Sequence, residues 1–489
     1  MNKNFGAKAM RVAAIGAASL MALGGLAACG GGGVDKDPNK ITFWFWGSPA
    51  EVRVYNQLIA KYQDEHPGVT IAPTHYESNI YMNNFRNERK KPDVFFMPDT
   101  DFAAWVDSGT MLDLNGYITQ EEVDSVWKDA FDEYRYDTTT KTLGSGHIYG
   151  FPKDLGPSVL TYNKTLLDQQ IASNHLDRDE VYALLDPTDP MTWEEFRTLC
   201  KNLTADQNKA SNDQIYGIPY YIMDTAIYSN NANYFYEDDD GMLQQQIDDK
   251  FIEAVAFNIQ LATVDQIMPS AEVSGASDAY TRFFNGKTIF TWMGPWDNAD
   301  FWDYTNLVYD VCPVPYNGAR AGEGAHSVTT TGSMCYGVSA NSSKKDIAVD
   351  FAKWLSTSVS CQQYAMELGQ QLPNIKSMAL DKENGFISDK WTTDGANKCP
   401  KNRSVFIDVV DGNTNSMGLY SSAADDKVGG KTRSLYYTYD STWQDNLMSY
   451  IDSEGLWEES SYAVIKAKLE EYRDDLQADL DEMNDRWKN

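Results

Sequence analysis

The fold this sequence predicts is α/β, built as two lobes, and three observations carry that reading. Residues 41–71, ITFWFWGSPAEVRVYNQLIAKYQDEHPGVTI, run strand, turn, helix, strand. Short β-branched and aromatic segments then alternate with helical periodicities down the chain, which is the pattern of βαβ units and a parallel sheet. The third observation is length. The chain has 489 residues, and removal of a 28-residue leader leaves 461 (489 minus 28), well beyond the ~250–300 at which one hydrophobic core stops growing.

Each element follows from local chemistry. Ile41 to Trp46 is a strand, and Ser48-Pro49-Ala50-Glu51 is a capping box with proline at the first helical position. Val52, Tyr55, Ile59 and Tyr62 repeat at helical spacing until Pro67-Gly68 breaks the helix, and Val69 to Ala72 resumes a strand. Val94 to Met97 reads as a short buried strand feeding a helix from Asp99 to Val106. Phe151-Pro152 leads through a polar turn at Lys153-Asp154 to a strand at Val159 to Tyr162. Thr192, with Glu195 three residues on, caps another helix. FFNGKTIFTWMGPWDN, residues 283–298, reads as turn, strand and helix start. Ile347, Phe351, Trp354 and Leu355 line one face of an amphipathic helix. From about Ser461, Ile465, Leu469, Tyr472, Leu476, Leu480 and Met483 fall at steps of three and four, the core-facing stripe of a long final helix.

The N-terminus has the layout of a secretory leader. Lys3, Lys8 and Arg11 precede an apolar run from about Val12 to Gly25, too short to span a bilayer. The run ends in Leu26-Ala27-Ala28-Cys29 followed by Gly30 to Gly33, which resembles a bacterial lipobox. Residues 1–28 are then a signal peptide, Cys29 the lipidated residue, and 29–40 the lipidated Cys with its flexible tether. A diacylated Cys29 would hold the protein on the outer face of the cell membrane without a spanning helix, each buried methylene contributing roughly 0.8 kcal/mol. The other cysteines, Cys200, Cys312, Cys335, Cys361 and Cys399, contain no CxxC pair and so support no metal or redox site. Most are expected to be buried free thiols.

A formal charge of −30 argues against nucleic acid or an anionic membrane surface as partner. Serine-hydrolase GxSxG and zinc-protease HExxH patterns do not occur. FNGKT and VGGKT lack the first glycine of a Walker A loop, and the five histidines carry no helical ligand spacing. No cofactor or metal is expected. The 13 Trp and 29 Tyr are more than core filling when they stand in polar turns, because an indole or phenol offers an apolar face with a polar handle.

Seven motifs in one order give the chain a family resemblance. They lie at residues 43–69, 92–114 (PDVFFMPDTDFAAWVDSGTMLDL), 149–164 (YGFPKDLGPSVLTYNK), 192–196 (TWEEF), 283–296, 332–355 and 372–378 (LPNIKSM). Together they resemble the extracellular solute-binding proteins of the carbohydrate-binding kind that serve ABC importers. The resemblance implies a type II periplasmic-binding-protein-like fold with a ligand cleft between two lobes. The first lobe would hold 41–152 plus 314–370, and the second 153–313 plus 371–489. It implies a carbohydrate ligand, which the long mature chain and the abundance of Trp and Tyr point toward being an oligosaccharide, permease subunits with a separate ATPase chain as partners, a monomeric protein and no enzymatic activity.

The resemblance also assigns residues. A sugar-stacking aromatic falls on Trp296 at the end of the Gly-Pro-Trp turn, and a polar contact after Phe151-Pro152 falls on Asp154. Contacts after the first two strands of the motif series fall on Trp46 or Ser48 and on Asp99 or Asp101, the two aspartates having helix capping as their alternative role. Thr331 and Ser333 approach the cleft before the MCYGVS strand, and Tyr220 and Tyr221 follow Tyr216-Gly217-Ile218-Pro219. Trp292, inside its strand, is read as core. Met97 stands where the maltose-binding pattern often has an aromatic, and Gly156-Pro157 near its acidic contact, so maltose itself is disfavoured. Two other roles remain open: a sugar-sensing lipoprotein that docks on a signalling receptor, and a glycoside hydrolase with paired carboxylates.

Overall fold

The computed structural model describes residues 37–205, 213–238, 240, 242–330, 334–388, 400–411, 417–420 and 443–488. The leader, Cys29 with its glycine tether, Thr331, Ser333 and Cys399 lie outside them. Residues 39–489 form one compact unit. Among the described residues, no helix is long and apolar enough to cross a membrane, and no cluster of His, Cys, Asp or Glu could hold a metal ion.

Two sheets organise the unit. The strands that matter are β1 (Lys40–Trp46), β2 (Thr70–Tyr76), β3 (Val94–Pro98), β4 (Gly150–Pro152), β5 (Val159–Asn163), β6 (Phe290–Met293), β7 (Tyr309–Cys312), β8 (Ser327–Thr330), β9 (Met334–Val338) and β10 (Met417–Tyr420). The first sheet has the order β2-β1-β3-β9-β4, with β1 parallel to β2 and β3, and β9 antiparallel to both β3 and β4. The second is antiparallel, with the order β6-β5-β7, and β8 pairs separately with β10.

β1 alternates as a strand with one buried face must. Phe43 and Phe45 point into the core, and Trp44 and Trp46 remain partly exposed on the opposite face. Helix α1 (Pro49–Glu65) starts at the expected capping box: Ser48 accepts from the Glu51 amide, and the Glu51 carboxylate accepts from the Ser48 amide. It buries Val54, Tyr55, Leu58, Ile59 and Tyr62 against the first sheet. The Thr192–Glu195 box is also formed, at the start of helix Trp193–Leu203. The final helix, Tyr462–Lys488, buries Ile465, Leu469, Tyr472, Leu476 and Leu480. One turn beyond Leu480 the buried Asn484 exchanges two hydrogen bonds with the Leu243 backbone at 2.9 and 3.0 Å. Cys200, Cys312, Cys335 and Cys361 are buried free thiols.

Candidate functional site

The strand registers decide which loops meet. β1 and β3 are parallel, so Trp46-Gly47-Ser48 and Asp99-Thr100-Asp101 leave the same edge of the first sheet. β9 runs against them, and Met334 at its start pairs with Pro98 at the end of β3. Cys335 pairs with Pro152, so Lys153-Asp154 emerges at that edge too, the Lys153 amide donating to the Met334 carbonyl at 2.9 Å. Only six residues then separate β4 from β5, and the chain crosses to the second sheet. Val159 pairs there with Met293, which puts the Gly294-Pro295-Trp296 turn beside the crossing. The Ser158 amide donates to the Thr330 carbonyl at 3.1 Å, and the Thr329 hydroxyl to the Ser158 carbonyl, so a second crossing runs alongside the first.

Trp296 is partly exposed, and its six-membered ring lies on bare backbone. A Cβ added to Gly156 would meet Trp296 Cζ3 at 2.3 Å, and one added to Gly294 would meet Cη2 at 2.2 Å. Each glycine is therefore required by close approach of the ring, since neither has a positive φ. Gly156→Ala is expected to displace the indole and weaken ligand binding severalfold while the thermal midpoint changes little, as read by parallel titration and melting. Loss of affinity only in proportion to unfolding would contradict it. Trp292 is 2% exposed, donates to the Tyr220 carbonyl at 3.0 Å and is core, as its place in the strand indicates.

The carboxylates divide into three situations. Asp154 is 2% exposed and bound to Lys153, equally buried, at 2.6 Å, so in this structure it serves an internal ion pair. Asp101 pairs with Arg86 at 2.8 Å. Asp99 accepts from the Thr100 amide at 2.8 Å, and burial pushes its carboxyl up to about 6. Neither Asp99 nor Asp101 is the cap of helix Asp99–Asp107, whose cap position is Pro98. Burial likewise pushes Asp297 up to about 7, against the pull of the Gly294 amide and the Tyr280 hydroxyl.

Ser48 does more than cap α1. Its hydroxyl donates to Asp300 at 2.6 Å, joining residues 252 positions apart across the two sheet systems. Trp46 packs edge-on against Tyr81 and Phe96 at ring separations of 4.7 and 5.2 Å. Tyr220 is 45% exposed, and burial of its hydroxyl beside Asp297 pushes it up to about 12. Tyr221, its neighbour, is 4% exposed, donates to the Pro315 carbonyl at 3.2 Å and meets Trp292 and Phe257 edge to face. It lies in a core with no face left open.

Strand register thus brings Trp46, Ser48, Asp99 and Asp154 to one edge of the first sheet, Trp296 stands in the turn beside the crossing to the second, and Tyr221 lies apart in the core. Sequence reasoning missed Glu51, Asp297, Asp300, Tyr280 and Gln370. Glu51 was visible only as half of a capping box. Asp297 and Asp300 lie in the quoted GPWDNAD stretch, yet their partners come from distant segments.

Comparison with known proteins agrees with this architecture. The family of bacterial extracellular solute-binding proteins matches residues 46–359. A galactooligosaccharide-binding protein of Bacillus subtilis is 23% identical over 296 residues, 59% of this chain and 62% of that relative, so the match spans under two thirds of its length. An ABC substrate-binding protein of Listeria monocytogenes in complex with cycloalternan superposes with a TM-score of 0.67 at 18% identity, covering 90% of this chain and 98% of the other. A Thermus thermophilus maltotriose-binding protein gives 0.61 at 17% identity, covering 90% and 100%.

Proposed function

From the premise that this chain belongs to the bacterial extracellular solute-binding proteins, we propose that it captures an oligosaccharide between its two lobes and hands it to the permease of an ABC importer. The observation that carries this reading is Trp296, a partly exposed indole backed by the bare backbone of Gly156 and Gly294 where the chain crosses between sheets. A pyranose has a face of C–H groups that packs on an indole and an edge of hydroxyls that needs directional partners. Asp297, in the same turn as the indole, and the Tyr280 hydroxyl bonded to it are proposed to supply such partners, with Asp99 at the edge of the first sheet as a further candidate. Proteins similar to this chain that bind galactooligosaccharide, cycloalternan and maltotriose support a carbohydrate ligand.

The lobe division proposed is 41–152 with 314–370 against 153–313 with 371–489. In support of that division, Gln371 and Asn374, next to the last proposed crossing, donate to the Lys153 and Pro152 carbonyls at the first. Ligand would bind one lobe, and the second would close on it, shifting an open–closed equilibrium by differential affinity. Docking on the permease would favour the open, releasing form. No bond is made or broken in this scheme, and the ATPase is a separate chain.

Titration of tryptophan fluorescence with mono-, di- and longer oligosaccharides tests the capture. A saturable change with one oligosaccharide class and no release of reducing ends supports it, and silence across the panel in folded protein, or cleavage of the sugar, refutes it. The lipid anchor at Cys29 has its own test. Cys29→Ser is expected to move the protein from the membrane fraction to the medium, and a variant still retained on membranes would exclude that anchor.

A further inference from the structure

We infer that Asp300 is a positioning residue for ligand capture: it latches the first lobe to the second through Ser48, and the latch closes with uptake of a proton. The inference rests on the interlobe-cleft reading above. Its basis is where the two lobes touch. The N-terminal turn of α1 meets the short helix Asn298–Phe301, and Ser48 Oγ donates to Asp300 Oδ2 at 2.6 Å. One turn further on, Arg53 reaches Asp303. The Gly369 carbonyl accepts from the Ala299 amide at 3.1 Å, and Gln370 donates to Glu51 at 3.1 Å, so two first-lobe segments clasp the same helix. None of these bonds needs a ligand.

The clasp brings Glu51 of the first lobe toward Asp297 and Asp300 of the second. Few cations face the three carboxylates. Lys153 is committed to Asp154 and Arg53 to Asp303; the Asp303 carboxylate itself faces Asp300, and the other neighbours include the Tyr55 and Tyr336 hydroxyls at Glu51, the Ser48, Tyr280 and Tyr220 hydroxyls and the Gln370 amide. Charge is therefore removed from water on closing without an equal opposite charge arriving. Burial accordingly raises the carboxyls of Glu51 and Asp300, with Lys153 and Ser48 opposing in part. A group whose affinity for protons is higher in the closed form favours closing at low pH, and that contribution fades as pH rises through its closed-state value.

The test uses no sugar. Small-angle X-ray scattering of residues 39–489, the compact unit, would be recorded from pH 5 to 8.5. The parent is expected to be more compact at the acid end. Asp300→Asn keeps an acceptor for Ser48 without the charge, so it should be as compact at pH 8.5 as the parent at pH 5. Glu51→Gln preserves the capping box and should move the midpoint upward by about one pH unit, so the inference stays testable if the Asp300 variant folds poorly. A flat profile in the parent, or an unchanged profile in the variants, overturns the latch. Failure of the sugar titration would leave this result standing, and a flat profile with intact sugar binding would remove only the latch.

Discussion

Trp296→Ala is expected to weaken binding of the proposed oligosaccharide ligand by about 1–3 kcal/mol, roughly five- to 150-fold in dissociation constant, on the scale of losing one aromatic stack. The expectation is specific because the ring is held, with Gly156 and Gly294 admitting it against backbone at distances no side chain would tolerate. Truncation leaves a shallow hollow at a partly exposed position, so stability should change less than affinity. Trp296→Phe keeps an apolar face of smaller area and should fall between. Isothermal titration beside thermal melting separates the two effects. Affinity untouched by Trp296→Ala would make the residue a packing element and move the platform elsewhere, with Tyr220 the next exposed aromatic beside Asp297.

Asp154→Ala carries the largest expected loss of stability, about 3–5 kcal/mol, because it strips the partner from a charge that is itself buried. Lys153 and Asp154 are each 2% exposed and 2.6 Å apart. The pair stands at the first chain crossing, where the Lys153 carbonyl also accepts from Gln371 and Asn374, both at 3.1 Å. Replacing both residues together, Lys153→Met with Asp154→Leu, should cost far less than the single change, since buried ion pairs are often matched by packed apolar side chains. Chemical denaturation of the two singles and the double gives the coupling directly. Additive losses would show that the pair does not act as a unit. A single Asp154→Ala that melts normally but loses ligand would return this carboxylate to the binding role that the motif resemblance assigns it.

Much of the architecture was legible because it rests on local chemistry. The capping boxes at Ser48–Glu51 and Thr192–Glu195 formed as read, since each needs only residues three apart. The stripe of Ile465, Leu469, Tyr472, Leu476 and Leu480 is buried as helical periodicity requires. Trp292 is a buried strand position and Trp296 a partly exposed turn position, because the strand ends at Met293 and the Gly294-Pro295 turn carries Trp296 out of it. Adjacent aromatics without such a marker were not separable. Tyr220 and Tyr221 look alike in sequence, yet one is 45% exposed and the other 4%, and Trp292, Phe257 and Pro315, all more than 30 positions away, decide which is which.

The kind of protein is legible in local sequence: two α/β lobes, a family defined by motif order, and a tryptophan placed on a Gly-Pro turn. Those features depend on backbone propensity and hydrophobic period, which act over a few residues. Tertiary structure alone decided which acids are available and which are spent. Asp154 is engaged by Lys153 only because both are sealed from water, Ser48 finds Asp300 252 positions away, and Asp297 is buried by segments that no local pattern brings near it. A carboxylate's role depends on its solvation and on the charges around it, and both are properties of the assembled chain.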